Sequence, residues 1–330
     1  MQATRHPINR RDLLRMAGAA TITSLAAPAL ARAAGPVDIL TGTAFTTEWQ
    51  ISLPAGTMPI GLGAEVQALF DGIDRQMSPY RADSDLTRLN TAASGRCALP
   101  AELLHVARAA LDLAAMSGGR YDPTVGPLVA RWGFGPISGN MSPDLPGFTL
   151  EPDAIVKDHA GLTLDLCGIA KGYALDELAR LLMAAGHHDF FIDLGGEVFA
   201  KGLHPEGRAW RVGVEDPRPE MDGVAEVLAL TNLAIATSGD RNNGYTLGAR
   251  RYSHIIDPTT REPVTGRIAS VSVLGQDAMH ADGWATALMA AGSEAGPELA
   301  RQNGLSAMFL LRDGAGFSRV TTSGFTAHLA

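Results

Sequence analysis

Hydrophobic and polar positions alternate along residues 37–53, VDILTGTAFTTEWQISL, and the run is rich in β-branched and aromatic residues, so it predicts an opening hairpin or strand pair. The period then lengthens. Residues 61–76 and 100–117 carry apolar side chains at helical spacing, with Pro100 well suited to a helix start. Residues 132–155 hold glycine and proline without a period and read as loop. The pattern next predicts a strand at 162–167, a helix over roughly 171–185, and strands at 189–194 and 197–202 joined by Gly195-Gly196. Strands at 209–214, 224–230, 233–237 and 268–274, a helix over roughly 278–292 and a closing pair near 305–318 complete the chain. No repeat and no composition break divides it. Strand, helix, strand, strand order without regular βαβ units makes a purely parallel doubly wound sheet the poorer choice, and the expected fold is one α+β domain on a mixed sheet.

The first residues follow another rule. A basic segment precedes an apolar run from Met16 to about Ala31 and a small-x-small site at Ala31-Arg32-Ala33, which predicts a cleavable signal peptide over residues 1–33. A membrane anchor or an unstructured leader is the alternative, but the run is short and alanine-rich for a span that needs roughly 20 strongly apolar residues. Arg10-Arg11 followed by Leu13 and Leu14 resembles a twin-arginine export signal, which carries folded proteins, so the expected location is the periplasm. The formal charge of -8 becomes -12 once five arginines and one aspartate leave with that segment. No basic block follows residue 15, which excludes the electrostatic footprint of a nucleic-acid binder. Cys97 and Cys167 lack metal-ligand or CxxC spacing; they could pair in an oxidising compartment, although Cys167 sits in an apolar strand pattern as a small buried filler.

Candidate chemistry gathers in four places. In DLCGIAKG, Gly168, Ala170, Lys171 and Gly172 stand where a strand pattern hands over to a helix, so free N–H groups, a positive helix end and a mobile cation favour a phosphate; the competing reading is a plain turn with a solvated lysine. In FIDLGGEVFAKG, Gly195-Gly196 permits close approach of a flat or phosphorylated ligand beside Asp193 and Glu197, or simply closes a hairpin. The stretch ATSGDRNNGYTLGARRYSHIIDPTT brings together Ser238, Asp240, His254, Asp257 and Thr259, with His254 suited to proton transfer and Asp257 to orienting it or finishing a turn. In MHADGWATALMAAG, Asp282 and Thr286 are four apart and share a helix face, a carboxylate and a hydroxyl that suit Mg2+; a helix cap at Asp282 with Thr286 bonding back to its helix is the alternative. Tyr80, Tyr121 and Trp132 lie among polar turn residues where a ring could stack on a planar ligand or serve the core, and Ser84-Asp85 reads as a helix start.

Taken in order, MSPYRADSDLTRLN, YDPTVGPLVARWGFG, DLCGIAKGYALDELA, FIDLGGEVFAKG, ATSGD, YSHIIDPTT and ADGWATAL resemble the motifs of the ApbE family, the FAD:protein FMN transferases, over roughly residues 37–320. The resemblance implies an ApbE-like α+β domain and a Mg2+-dependent enzyme that moves the FMN moiety of FAD onto a threonine hydroxyl of an acceptor protein, releasing AMP. It implies metal ligation by the main-chain oxygen of Ala170 and the side chains of Asp282 and Thr286. Around FAD it places Tyr80, Ser84, Asp122, Lys171, Asp193, Gly195, Gly196, Glu197, Ser238, Asp240 and His254, with Lys171 beside the pyrophosphate, His254 as proton acceptor and Asp257 as its companion. The acceptors it implies are membrane-associated electron-transfer proteins. The same pocket with water as nucleophile would be an FAD pyrophosphatase, and without turnover a periplasmic flavin-binding maturation factor. Two departures from the family pattern stand out: Arg261 follows DPTT where glycine is usual, and Gly283-Trp284 replaces the middle pair of the last motif.

Overall fold

The computed structural model describes residues 29–31, 36–139, 147–218, 221–241, 243–247, 250–314 and 316–330. The signal-peptide expectation for residues 1–33 therefore lies outside the described residues except at Ala29–Ala31. Nine strands make the main sheet: β1 (Ala29–Ala31), β2 (Val37–Ala44), β3 (Thr47–Pro54), β4 (Phe190–Leu194), β5 (Glu197–Lys201), β6 (Leu233–Gly239), β7 (Ile268–Gly275), β8 (Ser306–Asp313) and β9 (Gly316–Thr321). Their spatial order is their order in the chain. Each ladder is antiparallel, so the sheet is not of mixed direction as the sequence reading expected. The helices enter as insertions between neighbouring strands, which leaves strand direction free to alternate where regular βαβ crossovers would have made it parallel.

The helices are α1 (Leu62–Met77), α2 (Asp85–Thr91), α3 (Ala101–Met116), α4 (Gly126–Arg131), α5 (Ala170–Ala184) and α6 (Ala278–Gln302). Helices α1, α5 and α6 cover one face of the sheet and share a core with it; the ribbon of Trp210–Glu215 and Val224–Leu230 covers part of the other. Strand β8 shows both faces at once. Ala307, Phe309 and Leu311 enter the helical core, while Met308 and Leu310 pack with Trp210, Val212 and Leu228 on the far side. Burial on both faces is why the central strands read as apolar runs.

Most predicted elements are present within a residue or two, including the hairpin turn at Gly195 and Gly196, whose φ values of 64° and 98° suit a two-residue turn between twisted strands. Three differ. Residues 162–166 are largely buried but join no ladder; the amide of Asn90 clamps Leu164 at 2.8 Å through both N–H and C=O, and Asp165 donates its N–H to the Pro123 carbonyl. The expected loop 132–155 contains Phe148–Leu150 and reaches Ala154–Lys157, strands that pair with each other and, through the latter, with Gly95–Ala98. Helix α6 runs past residue 292, although Gly292, with φ 82°, breaks its helical geometry at that position.

The departures in sequence have local causes. A methyl group at Gly283 would collide with Leu113 of α3, so a glycine in mid-helix, ordinarily about 1 kcal/mol worse than alanine, lets α6 approach α3. Arg261 adopts φ 59°, the left-handed region in which a glycine carries no steric penalty.

Lys157 fixes the approach to the site. Its side chain is fully enclosed and its ammonium lies 2.8–3.4 Å from the carbonyls of Leu89, Asn90, Ala92 and Ala160, capping the C-terminus of α2 and holding Asn90 in its clamp. Replacing Lys157 by Met, similar in volume but without donors, strands those buried oxygens and is expected to lower unfolding free energy by about 3 kcal/mol in urea titration; a loss under about 0.5 kcal/mol would contradict the assignment.

Candidate active site

The site begins where two helix ends meet. Helix α5 starts at Ala170 and α6 at Ala278, and their N-termini are so close that a methyl group on Gly172 would collide with the Ala278 carbonyl. The first N–H groups of a helix have no partner within it. Here each helix supplies acceptors to the other. Asp282 of α6 accepts the Gly172 N–H at 3.0 Å, and Asp176 of α5 accepts those of Ala278 and Met279 at 2.8 and 2.9 Å. The N-cap of α6 is Asp277, which takes the His280 N–H and the His280 ring at 2.9 and 2.7 Å, so Asp282 does not cap its own helix. Thr286 likewise contacts other segments, with its hydroxyl 3.5 Å from the Gly168 carbonyl and 3.3 Å from Ser238 Oγ.

This junction forms one wall of a cleft of about 770 Å³. Its lining includes Asp122, Lys171, Asp193, Gly195, Gly196, Glu197, Ser238, His254, Asp282 and Thr286, residues drawn from six separated stretches of chain. Lys171 Nζ lies 2.7 Å from Glu197 Oε1, while Glu197 Oε2 is buried without a partner. Burial pushes the Glu197 carboxyl up to about 7 against the pull of Lys171. Burial also works against the Lys171 ammonium, but the Glu197 and Asp282 carboxylates outweigh it and lift its pKa above the ordinary lysine value. Asp282 is raised chiefly by burial, and Asp176 is pushed to about 6 for the same reason despite its two backbone donors.

His254 Nδ1 is 2.9 Å from the Asn243 carbonyl. A carbonyl only accepts, so Nδ1 bears the proton and Nε2 keeps its lone pair. Burial, reinforced by the field of Lys171, lowers the His254 pKa and keeps the ring neutral. Asp257 does not orient this histidine: its Oδ1 accepts the Thr259 N–H at 2.9 Å and finishes the turn, with Arg120 3.7 Å away.

Several predicted ligand residues serve the frame. Ser84 is the N-cap of α2, accepting from the Thr87 N–H and donating to the Ser78 carbonyl, and it does not line the cleft. Asp240 pairs with Arg312 and Arg251 beneath the site, also off the lining. Tyr80 is 68% exposed, with its hydroxyl donating to the Phe134 carbonyl at 3.2 Å; burial of its inner edge and the fields of Cys167 and Asp165 raise its pKa, which puts it near the cleft but off the lining. Ala170 is the first residue of α5 and is absent from the lining too; the carbonyl beside Thr286 is that of Gly168. Asp122 accepts from both donors of Thr124, and Asp193 from the Gly196 N–H, so each spends an oxygen on its own turn.

The sequence reading missed Arg120, Arg211, Arg241 and Asp165, all on the lining, and Asp176 behind it. The burial alternation of Trp210–Glu215 carries a signal for Arg211, since it stands on the exposed phase of that strand. Tyr121 is core-like but lines the cleft with a buried, unpaired hydroxyl, whereas Trp132 stacks on Tyr252 at 5.6 Å. Cys167, expected as a buried filler, opens into the cleft because its segment joins no strand; both cysteines are free.

The donor set tests whether Mg2+ fits. Among the described residues no group of three His, Cys, Asp or Glu side chains converges, which disfavours a soft-metal cage. Two hydroxyls and one main-chain oxygen meet at Thr286, Ser238 and Gly168, the Asp282 carboxylate lines the same cleft one helical turn from Thr286, and a Cβ on Gly168 would press on Thr286. Hard oxygen donors in small number, leaving room for water and phosphate, suit Mg2+.

The ApbE family model matches residues 45–309. An FAD:protein FMN transferase of Vibrio cholerae is 37% identical over 283 residues, 82% of this chain and 85% of its own; that of Escherichia coli K12 is 31% identical over 89% of each chain. Among solved structures, the flavin transferase ApbE from Vibrio cholerae superposes with a TM-score of 0.79 at 35% identity, covering 89% of this chain and 100% of its own. The apo flavinyl transferase ApbE of Pseudomonas stutzeri gives 0.79 at 33% identity, covering 88% and 96%.

The thiol of Cys167 faces the cleft, but burial of its flanks and the Asp165 carboxylate hold its pKa well above the ordinary value. At pH 7 maleimide is expected to modify Cys167 roughly 10-fold more slowly than a free cysteine, and faster as pH rises, by peptide mass mapping; labelling at the free-thiol rate would contradict this electrostatic picture.

Proposed function

We propose that this chain, which belongs to the ApbE family and is an enzyme of flavin transfer, moves the FMN moiety of FAD onto a threonine hydroxyl of an acceptor protein, with Mg2+ and with release of AMP. The observation that carries the reading is one cleft lined by the α6 oxygens, by Lys171 and by a neutral imidazole whose Nε2 is free. When bound, Mg2+ would be held by Asp282, Thr286 and a main-chain oxygen at the start of α5, and would neutralise charge on the pyrophosphate. Lys171 adds a positive charge at the same wall, and the Gly195-Gly196 turn lets a flat ligand approach main chain. Four lining residues, Trp49, Tyr121, Glu197 and Ser270, carry a buried polar atom without a partner.

In the step itself the acceptor oxygen attacks the FMN phosphorus, the bond from that phosphorus to the bridging oxygen of AMP breaks, and AMP departs with that oxygen. The acceptor proton passes to His254 Nε2, while the Asn243 carbonyl holds the opposite ring nitrogen as a donor. We assign residues 1–33 to export and 37–320 to the transferase domain; Arg10-Arg11 supports a periplasmic location and hence an acceptor on that side of the membrane, of the electron-transfer class.

The decisive test incubates the protein with FAD, Mg2+ and a purified acceptor domain, following adduct mass and AMP together. An FMN adduct on one threonine, lost in Asp282→Ala and without metal, is expected; AMP without adduct would indicate hydrolysis, and FAD binding with neither product would end the catalytic reading. The lowered pKa of His254 sets a pH expectation. The neutral ring is the base, so the rate should hold as pH falls through the ordinary histidine value of 6.5 and drop only below it. His254→Ala should reduce kcat by roughly 100-fold or more and abolish that limb of the profile; an unchanged acid limb would remove His254 from the role.

A further inference from the structure

We propose that Asp176 is a positioning residue for the metal site: by holding the start of α6 it fixes Asp282 and Thr286 relative to the start of α5. The inference rests on the Mg2+ reading above and adds to it a residue outside the cleft lining.

The ligands assigned to Mg2+ come from α6 and from the main chain that leads into α5, and the distance between them depends on what fastens one helix to the other. Two fastenings cross the junction in opposite directions. Asp282 takes the third N–H of α5, at Gly172, and Asp176, one turn further along α5, takes the first two N–H groups of α6. Asp277 takes the third of α6, so the opening donors of that helix are all engaged. Asp176 uses one oxygen for each donor and is buried, so it forms a two-point bracket that prevents α6 from sliding or rotating about its axis. The absent side chain of Gly172 lets the backbones touch inside this bracket, with Met279 Cα 2.8 Å from where a Cβ would lie.

Asp282 has two demands on it. It accepts from Gly172 while serving the metal, and if α6 moved, one of the two would be lost. With Asp176 intact, α6 cannot move, and the carboxylate is presented to the cleft without rearrangement. Residues that orient metal ligands typically change affinity by roughly 10–100-fold when altered. A residue important only for folding would change stability and leave metal affinity in the folded protein untouched.

The test is calorimetric titration of Mg2+ into FAD-loaded protein, with the Mg2+ dependence of turnover measured in parallel. Asp176→Asn keeps one acceptor oxygen but turns an NH2 toward the second N–H. It is expected to weaken Mg2+ binding about 10-fold or more, with kcat largely recovered at saturating Mg2+. Asp176→Ala should weaken it further. Folded Asp176→Asn with wild-type Mg2+ affinity would overturn the proposal. Should these variants fail to fold, amide exchange in the wild-type protein decides. Mg2+ is expected to slow exchange at Gly172, Ala278 and Met279 together, and protection confined to Gly172 would overturn the idea. Asp282→Ala separates the two levels: if it too binds Mg2+ normally, the metal assignment has failed and the positioning role falls with it.

Discussion

The contact between the starts of α5 and α6 is the constraint on which the site depends. Two helix N-termini brought together repel through their positive dipole ends, and each exposes N–H groups that cannot be left dry. The protein places a carboxylate from each helix on the donors of the other, so the contact that would be unfavourable becomes a lock. Gly172 makes the approach sterically possible, and Asp176 and Asp282 make it electrostatically favourable. One of the two carboxylates also looks into the cleft, so the device that joins the helices contributes the functional group.

Around that lock the electrostatics are asymmetric. Lys171 faces two buried carboxylates, and burial raises the pKa of both acids while their charge keeps the lysine protonated. An arrangement with more acid than base, and with Glu197 Oε2 lacking a donor, has two needs, for positive charge and for a hydrogen bond. A cation near Asp282 would relieve the first need and ligand hydroxyls the second. His254 sits far enough into the cleft for burial to lower its pKa, which favours the neutral ring that can accept a proton from a substrate group.

Much of the fold was legible because local periodicity and turn chemistry agree with the final structure. The opening hairpin, α1, α3, α5 and the Gly195-Gly196 turn follow from spacing and composition. The failure at residues 162–167 is instructive: burial of both faces gave a strand-like apolar run, but the hydrogen bonds come from the Asn90 side chain and the Pro123 carbonyl, partners distant in sequence. The exposure of Cys167 is a consequence of the same error. Ser84 and Asp240 were polar residues in the right motifs, and Lys157 lay between the predicted loop and the next predicted strand, where no element was expected; the fold uses all three as internal fasteners.

The sequence by itself determined the order of the long helices and of most main-sheet strands, the α+β class, the family and the motifs that furnish Lys171, His254, Asp282 and Thr286, because each is a matter of residue type at short spacing. Only the tertiary structure decided which of them converge, that Asp257 serves a turn while Asn243 orients the imidazole, and that Arg120 and Arg211 face the cleft. It alone revealed Asp176, since its role is to satisfy N–H groups 102 and 103 residues away. Periodicity reports which face of an element is buried; it carries no information about which distant backbone donors that face will meet.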